Sequence, residues 1–320
     1  MTVPRALKMA LPLLIVIGLF ALWSIYWAVL SSQVRSRAEE ALARSPVKLT
    51  CAEKTWGGYP FRVEFQCKAP KLTVPGAAGE ASFGASDLNL VMQAWNFTHV
   101  IGLLDGPTAA EVPGLNPLEV SHKRVAASLH VRGSTAVEAG LELPEAEVAG
   151  RFSVKAMTVN AKVGLGGTAR LTAAAEAMTL TLPNGRYLAL KQLGLIASVP
   201  AGVLTARDPL RYAAETGAMI TLERFDFTGA GFNLTLHGAA SLDAEGLING
   251  KLSATTADID RLLAALEPAL GVPAEQLSMA RAAIMLTNAN RTGAVTVNVV
   301  AERGQIKLGF FPIAVLKPLY

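Results

Sequence analysis

One apolar stretch near the start of the sequence constrains the fold more than any other feature. Residues 9–30 carry no charged side chain, and a helix that rises about 1.5 Å per residue crosses a hydrocarbon core of about 30 Å with a stretch of this length. Trp23, Tyr26 and Trp27 lie toward its end, where amphipathic aromatic side chains favour the membrane interface. The sequence therefore predicts an N-terminal transmembrane anchor over residues 1–31.

The charges around this stretch predict the side of the membrane on which the rest of the chain lies. Arg5 and Lys8 precede it, whereas the arginines that follow it are offset by glutamates. The positive-inside rule then predicts a single-pass membrane protein with a cytoplasmic N-terminus and the rest of the chain on the other side. A cleaved signal peptide is the alternative, but its apolar region is usually about 7–15 residues and ends in small residues. The bulky side chains at 24–28 favour the uncleaved anchor.

A short stalk and a cysteine block follow the anchor. Residues 32–46 are rich in alanine, glutamate and arginine and end at a proline, which is typical of a helix that stops there. The block at 51–67 holds both cysteines of the chain and a Gly-Gly-Tyr-Pro turn at 57–60. A disulfide between Cys51 and Cys67 would close a loop of about 15–17 residues, worth roughly 3 kcal/mol in an oxidising compartment. We expect this bond to clamp the membrane-proximal end of the sheet.

Residues 47–320 are expected to form a single β-rich region. Apolar and polar residues alternate at 87–95 and at 124–131, as in antiparallel strands with one buried face. Turn residues separate such segments, and Pro-Asn-Gly at 183–185 is the clearest hairpin signal. A second turn is expected at 243–246.

Helical signals are few in this region. Asp258 precedes an apolar-periodic segment at 259–266 that Pro268 and Gly271 are expected to end, and residues 274–281 are a weaker second candidate. The predicted fold is mostly β, an elongated or curved antiparallel sheet with a few short helices after one transmembrane helix. The same region could alternatively consist of two sheet halves that meet near residues 165–200.

The composition and motifs point away from catalysis and nucleic acid. Charged residues make up 17% of the chain and the net charge is +4, without the clustered Lys and Arg that nucleic-acid binding needs. The histidines lack metal-ligand spacing; they are His99, His122, His130 and His237. Ser45 and Lys48 match Ser-x-x-Lys without its companion motifs. We therefore expect no enzyme, metal or cofactor, although an anchored hydrolase with a scattered site stays open.

An apolar sheet face can either pack as a core or line a groove. Large ligand grooves are predominantly hydrophobic with few polar groups, and the low charge of this chain allows one that holds an acyl chain. The expected lining residues are the apolar side chains of candidate strands: Leu88, Leu90, Trp95, Phe97, Phe225, Phe227, Phe232 and Leu234.

Several stretches together resemble a known family. They are the anchor, the block from Trp56 to Arg62 with Cys67, the segment at 236–252, the helix at 258–266 and the segment at 303–312. With these stretches the chain resembles the domain-of-unknown-function 2125 family, anchored periplasmic proteins of alphaproteobacteria. The C-terminal segments are also similar to AsmA-like envelope proteins. That second resemblance implies elongated periplasmic β-sheets and a part in moving lipid between membranes.

The expected function follows from the anchor, the low charge and the resemblance. We expect a non-enzymatic, inner-membrane-anchored periplasmic protein of the cell envelope that binds or helps transfer lipid through an apolar β-sheet groove. The alternative is a structural or adaptor protein that binds another envelope protein and no lipid. The expected partners are thus membrane lipid or an envelope protein, and not nucleic acid.

Overall fold

Antiparallel strands dominate the structure, as predicted. The computed structural model describes residues 5–319 apart from 77–78, 115, 133–134, 165, 183–184, 207, 230, 271–277, 279–280, 283, 285–292 and 309–310. The chain divides into two compact units. Unit 1 comprises Met1–Glu119 and Ala126–His130, and unit 2 comprises Val120–Val125 and Val131–Tyr320.

Unit 1 begins with one long helix, α1 (Arg5–Arg44). Its segment Leu11–Arg44 is the one helix in the described part of the chain that is long and apolar enough to cross a membrane, with a mean hydropathy of 2.4. Pro12 lies within the helix, which continues without a break through the predicted anchor and stalk. The expectation of an N-terminal helix able to span a membrane is confirmed.

Two antiparallel sheets make up the rest of unit 1. The strands that follow α1 are β1 (Lys48–Thr50), β2 (Glu53–Gly57), β3 (Arg62–Lys68), β4 (Lys71–Gly76), β5 (Gly79–Gly84), β6 (Asp87–Gln93), β7 (Asn96–Asp105), β8 (Thr108–Glu111), β9 (Leu118–His122) and β10 (Val125–Arg132). Most of β10 belongs to unit 1, whereas β9 belongs to unit 2 from Val120 onward. The first sheet has the order β1-β4-β5-β8. The second has the order β2-β3-β6-β7-β10.

The second sheet of unit 1 has one apolar and one polar face. Val63, Phe65 and Cys67 alternate along β3 and are buried, whereas the residues between them are charged or polar. Because side chains alternate across a strand, these three residues share a face with their partners on β6, among which Met92 is also buried. The sequence alternation therefore produces a sheet that hides one face.

Unit 2 is a long antiparallel meander. Its strands are β11 (Thr135–Val148), β12 (Phe152–Val163), β13 (Thr168–Thr181), β14 (Tyr187–Pro200), β15 (Ile220–Gly229), β16 (Asn233–Leu242), β17 (Ile248–Thr256), β18 (Val295–Glu302), β19 (Gln305–Leu308) and β20 (Phe311–Val315). Each strand pairs with the next along the chain, and β9 pairs with β11 at Ser121 and His122. Within the region 165–200, Thr168–Thr181 and Tyr187–Pro200 form the β13–β14 pair of this meander.

Short helices cover parts of this meander: α2 (Ala201–Thr205), α3 (Pro209–Thr216) and α4 (Ile259–Leu270). The Asp258 carboxylate accepts a hydrogen bond from the Arg261 amide at 3.0 Å, so the predicted N-cap is confirmed. The helix passes Pro268 and ends at Leu270, so Gly271, the second of the two residues expected to end it, follows its last residue. Most of the second candidate helix at 274–281, and the Pro183-Asn184 turn, lie outside the described residues.

Candidate functional site

An apolar cleft lies in unit 1 between the C-terminal part of α1 and the second sheet. Its volume is about 500 Å³. On the helix side, Val34, Ala38 and Leu42 face it at intervals of four residues, which places them on one side of α1. The full lining is Val34, Ala38, Glu39, Leu42, Leu49, Lys54, Trp56, Val63, Phe65, Leu90, Val91, Met92 and Val100.

Cross-strand neighbours of the second sheet form the opposite wall. Trp56 on β2 stands opposite Phe65 on β3, and Phe65 stands opposite Leu90 on β6. The rings of Trp56 and Phe65 lie 4.9 Å apart, within the range of favourable aromatic pairs. The row ends at the pair of Met92 and Val100. Large apolar side chains from four strands therefore make one continuous surface toward α1.

Glu39 and Lys54 are the two ionisable side chains in this lining. The Arg35 guanidinium lies 2.9 Å from the Glu39 carboxylate, and both groups are largely exposed. Such a pair contributes little to stability in water. The charged groups therefore lie at the edge of an otherwise hydrocarbon-lined cleft.

Below the cleft, α1 is held against the turn that precedes β3. The Trp23 indole N–H donates to the Pro60 carbonyl at 2.8 Å, and the Trp27 indole N–H donates to the Arg62 carbonyl at 2.8 Å. The Tyr26 hydroxyl donates to the Ala94 carbonyl at 2.9 Å. We call this set of contacts the helix dock. The three aromatic residues predicted for the membrane interface thus also bind unit 1's own backbone.

One of the two glycines of the predicted turn beside the helix dock cannot carry a side chain. Gly58 has φ +100°, and a Cβ there would lie 2.5 Å from the Arg62 carbonyl oxygen. A Cβ at Gly57 would meet no atom within 4 Å. The Tyr59 hydroxyl, just beyond, shares a 2.7 Å hydrogen bond with the Ser24 hydroxyl. Gly58 is therefore the position at which only glycine fits.

A smaller cavity of about 300 Å³ lies between the helix dock and the cleft. Ser31, Ser32 and Arg35 line it on the helix side. Its sheet-side residues Trp56 and Val63 also line the cleft. Along α1, the residues of the helix dock are thus followed by the polar side chains of the smaller cavity and then by the apolar side chains of the cleft.

The predicted disulfide is confirmed, and it lies away from the helix dock. Cys51 and Cys67 are bonded, with Cα atoms 5.3 Å apart. Cys67 lies five residues along β3 from Arg62, about 17 Å at 3.3 Å per residue, whereas the helix dock is at the Arg62 end. The bond therefore lies at the opposite end of β3 from the helix dock, and its expected place near the membrane stays a prediction.

The bond ties the two sheets of unit 1 together. Cys51 lies between β1 of the first sheet and β2 of the second, and Cys67 is completely buried within β3. Beside it, the hydrogen bond and charge of the Glu53 carboxylate, 2.7 Å from the Lys68 ammonium, raise the pKa of Lys68. Both side chains are exposed, so the pair marks the register of β2 and β3 more than it stabilises them.

The predicted groove residues lie in several environments. Leu90 lines the cleft, and Leu88 lies on the same face of β6, opposite Cys67. Trp95 and Phe97 are exposed by 59% and 60%. In unit 2, Phe232 and Leu234 are buried in a core with Ile259 and Leu262 of α4, and Phe227 packs against that core. Phe225 lies beside Phe227 with ring centroids 5.7 Å apart.

The helix side of the cleft was missed by the sequence reasoning. The composition of residues 32–46 predicts a helix but does not show which face of it is apolar. Val34, Ala38 and Leu42 recur every four residues among charged residues, and this spacing predicts an apolar stripe.

Of the four histidines, His99 and His130 approach with ring centroids 5.8 Å apart. Among the described residues, no group of three or more His, Cys, Asp or Glu side chains could hold a metal ion.

Comparison with known proteins identifies the family. A family model described as an uncharacterized protein conserved in bacteria, DUF2125, matches residues 27–317. The chain belongs to the DUF2125 family. No curated protein and no solved structure gives a significant match. The resemblance of this DUF2125 protein to AsmA-like proteins is not confirmed and stays a prediction.

Proposed function

We propose that this DUF2125 protein is a non-enzymatic, single-pass protein of the bacterial inner membrane that takes an acyl chain of a membrane lipid into the cleft. One observation carries the proposal: the apolar cleft is walled by the same helix that is apolar enough to cross the membrane. Arg5 and Lys8, before the helix, favour a cytoplasmic N-terminus and a periplasmic location for both units.

The size and chemistry of the cleft suit an acyl chain. Its volume of about 500 Å³ lies within the range of about 300–1,000 Å³ found for small-molecule sites. Eleven of its thirteen lining residues are apolar, and none is a serine, histidine or cysteine. Filling the cleft with hydrocarbon would remove that apolar surface from water, which stabilises the complex by about 25 cal/mol for each Å² buried. A lining of this kind favours binding without chemistry.

The polar section below the cleft suits the other end of a lipid. Ser31, Ser32 and Arg35 line the smaller cavity, one to two helical turns beyond Trp27 of the helix dock. A lipid whose headgroup meets these side chains would extend one tail into the cleft and leave the other in the bilayer. A few polar groups at the mouth of an apolar site commonly fix the orientation of a ligand in this way.

A photoreactive lipid tests the proposal. The full chain is reconstituted with a phospholipid that carries a diazirine at the end of one tail, irradiated and digested. We expect cross-links on β3 and β6 of the cleft wall. Cross-links confined to the membrane segment of α1 would overturn the proposal, because they would place the tail only in the bilayer.

Two matched variants give the experiment its control. Ala38→Phe puts a ring into the cleft, whereas Ala43→Phe puts the same ring about 140° around the helix, at an exposed position that does not line the cleft. We expect Ala38→Phe to abolish cross-links on β3 and β6 and Ala43→Phe to retain them. Equal labelling of both variants would refute binding in the cleft and favour an adaptor without a lipid ligand.

A further inference from the structure

Four aromatic side chains of unit 1 are exposed beside the helix dock. The exposed fractions are 44% for Tyr59, 58% for Phe61, 59% for Trp95 and 60% for Phe97. The rings of Phe61 and Trp95 lie 6.4 Å apart in an edge-to-face arrangement. We call these four residues the aromatic patch. Single exposed apolar residues are common, but here Tyr59 and Phe97 lie two residues from the members of the Phe61–Trp95 pair, and a group of exposed aromatic residues indicates an interaction surface.

The hydrogen bonds of the helix dock fix the level of the aromatic patch along α1. The carbonyls of Pro60 and Arg62, on either side of Phe61, accept from Trp23 and Trp27. The Ala94 carbonyl, next to Trp95, accepts from Tyr26. The aromatic patch is therefore tied to the aromatic end of the apolar helical segment.

Helix length places that end at a membrane interface. Lys8 is the last charged residue before the apolar stretch, and Trp27 follows it at about 28 Å along a helix with a rise of 1.5 Å per residue. This distance matches the hydrocarbon thickness of about 30 Å. When Lys8 lies at one interface, Trp23 and Trp27 lie at the other, and the aromatic patch lies there with them.

We propose that the aromatic patch inserts into the headgroup–acyl boundary of the bilayer that α1 crosses. Amphipathic Trp and Tyr rings favour this layer, and Phe adds apolar area. Polar residues flank the patch on the sheet side: Gln93 and Asn96 bracket the turn that holds Trp95, and Arg62 is exposed by 58%. Unit 1 thus contacts the membrane at a second surface beside α1.

This inference does not depend on lipid binding in the cleft. The aromatic patch touches the bilayer as a surface, whereas the cleft takes up a single chain. Insertion of the patch would hold the neighbouring smaller cavity at the membrane surface. Trp95 and Phe97, predicted from sequence to line a groove, contact lipid in this way as part of the membrane interface.

Spin-label accessibility tests the insertion. The full chain carries a label at Phe97→Cys or, as a control, at Asp87→Cys, and is reconstituted in vesicles of phosphatidylethanolamine and phosphatidylglycerol. The native cysteines are disulfide-bonded and do not react with the label. Asp87 lies at the other end of β6 from the aromatic patch. We expect collisions with oxygen to exceed those with a water-soluble nickel complex at 97, and the reverse at 87.

Two results at position 97 would overturn the inference. Strong collision with the nickel complex would place the residue in water, and weak collision with both reagents would show that protein covers it, either a second copy or a partner. Trp95 provides a readout without a label, as the emission difference between the native chain and Trp95→Phe. We expect lipid brominated near the glycerol to quench this emission. The quenching should be equal in the native chain and in Ala38→Phe, so that insertion of the aromatic patch is tested separately from lipid binding in the cleft.

Discussion

Loss of the Cys51–Cys67 bond should destabilise unit 1 by about 3 kcal/mol. The bond spans a sequence separation of 16, and closing a loop of this length in the unfolded chain costs about 3 kcal/mol in the chain-entropy model. The loss should be confined to unit 1, because both cysteines lie there. The bond also holds β1 of one sheet beside β3 of the other, so its removal frees two sheets at once.

Tryptophan emission measures this loss in unit 1 alone. All four tryptophans of the chain, Trp23, Trp27, Trp56 and Trp95, lie in unit 1. Denaturant unfolding of the full chain in mild detergent, followed by tryptophan emission, therefore gives the free energy of unfolding of the disulfide-bonded unit. Reduction of the native chain isolates the cross-link, since both sulfur atoms remain in place.

The double variant Cys51→Ala with Cys67→Ala provides the second comparison. It should be at least as destabilised as the reduced native chain, because Cys67 is completely buried and loses its sulfur contacts as well. Reducing agent should have no further effect on this variant. An unfolding free energy of the reduced native chain within about 1 kcal/mol of the oxidised one would refute the reasoning, as would free thiols in the exported protein.

Two further predictions concern turns. Gly58→Ala should destabilise unit 1 by about 1–3 kcal/mol, because the φ of +100° and the close approach to Arg62 leave no room for a Cβ. Gly57→Ala is the control and should reduce the free energy of unfolding far less, as measured by the same tryptophan emission. Equal reductions in the two variants would contradict the assignment. In unit 2, the Asp243 carboxylate accepts a hydrogen bond from the Leu247 backbone N–H at 2.8 Å. This bond is the main cause of the lowered pKa of Asp243. A lowered pKa contributes stability at neutral pH that is lost as the pH falls through it. Asp243→Asn should therefore flatten the acid limb of the unfolding midpoint below pH 4 or so, and an acid limb equal to that of the native chain would contradict the assignment.

The sequence predicted the features that depend on local patterns. The uncharged stretch at 9–30, the alternation along β3 and β6, and the Asp258 cap each rest on neighbouring residues, so the anchor helix, the strands and the start of α4 could be predicted without a structure. The disulfide could be predicted because the chain has two cysteines. Its place relative to the helix dock could not, since that depends on the direction in which β3 leaves the helix dock.

The candidate site depends on contacts between distant residues. Tyr26 meets Ala94 across 68 positions in the sequence, and no periodicity predicts that pair. The sequence also does not separate a strand face that packs under a helix from one that lines a cleft. Phe232 and Leu234 were predicted to line a groove but are buried against α4, whereas Leu90, on an equally apolar strand, lines the cleft. The spacing of Val34, Ala38 and Leu42, by contrast, is a local pattern from which the helix side of the cleft can be predicted.

Native mass spectrometry of the full chain released directly from bacterial membranes tests the central proposal most directly. With an acyl chain seated in the cleft, the native chain and Ala43→Phe should each retain one lipid per polypeptide at collision energies that strip detergent. Ala38→Phe should be released without lipid. A native chain that is folded and free of lipid, or a lipid retained equally by Ala38→Phe, would contradict the account.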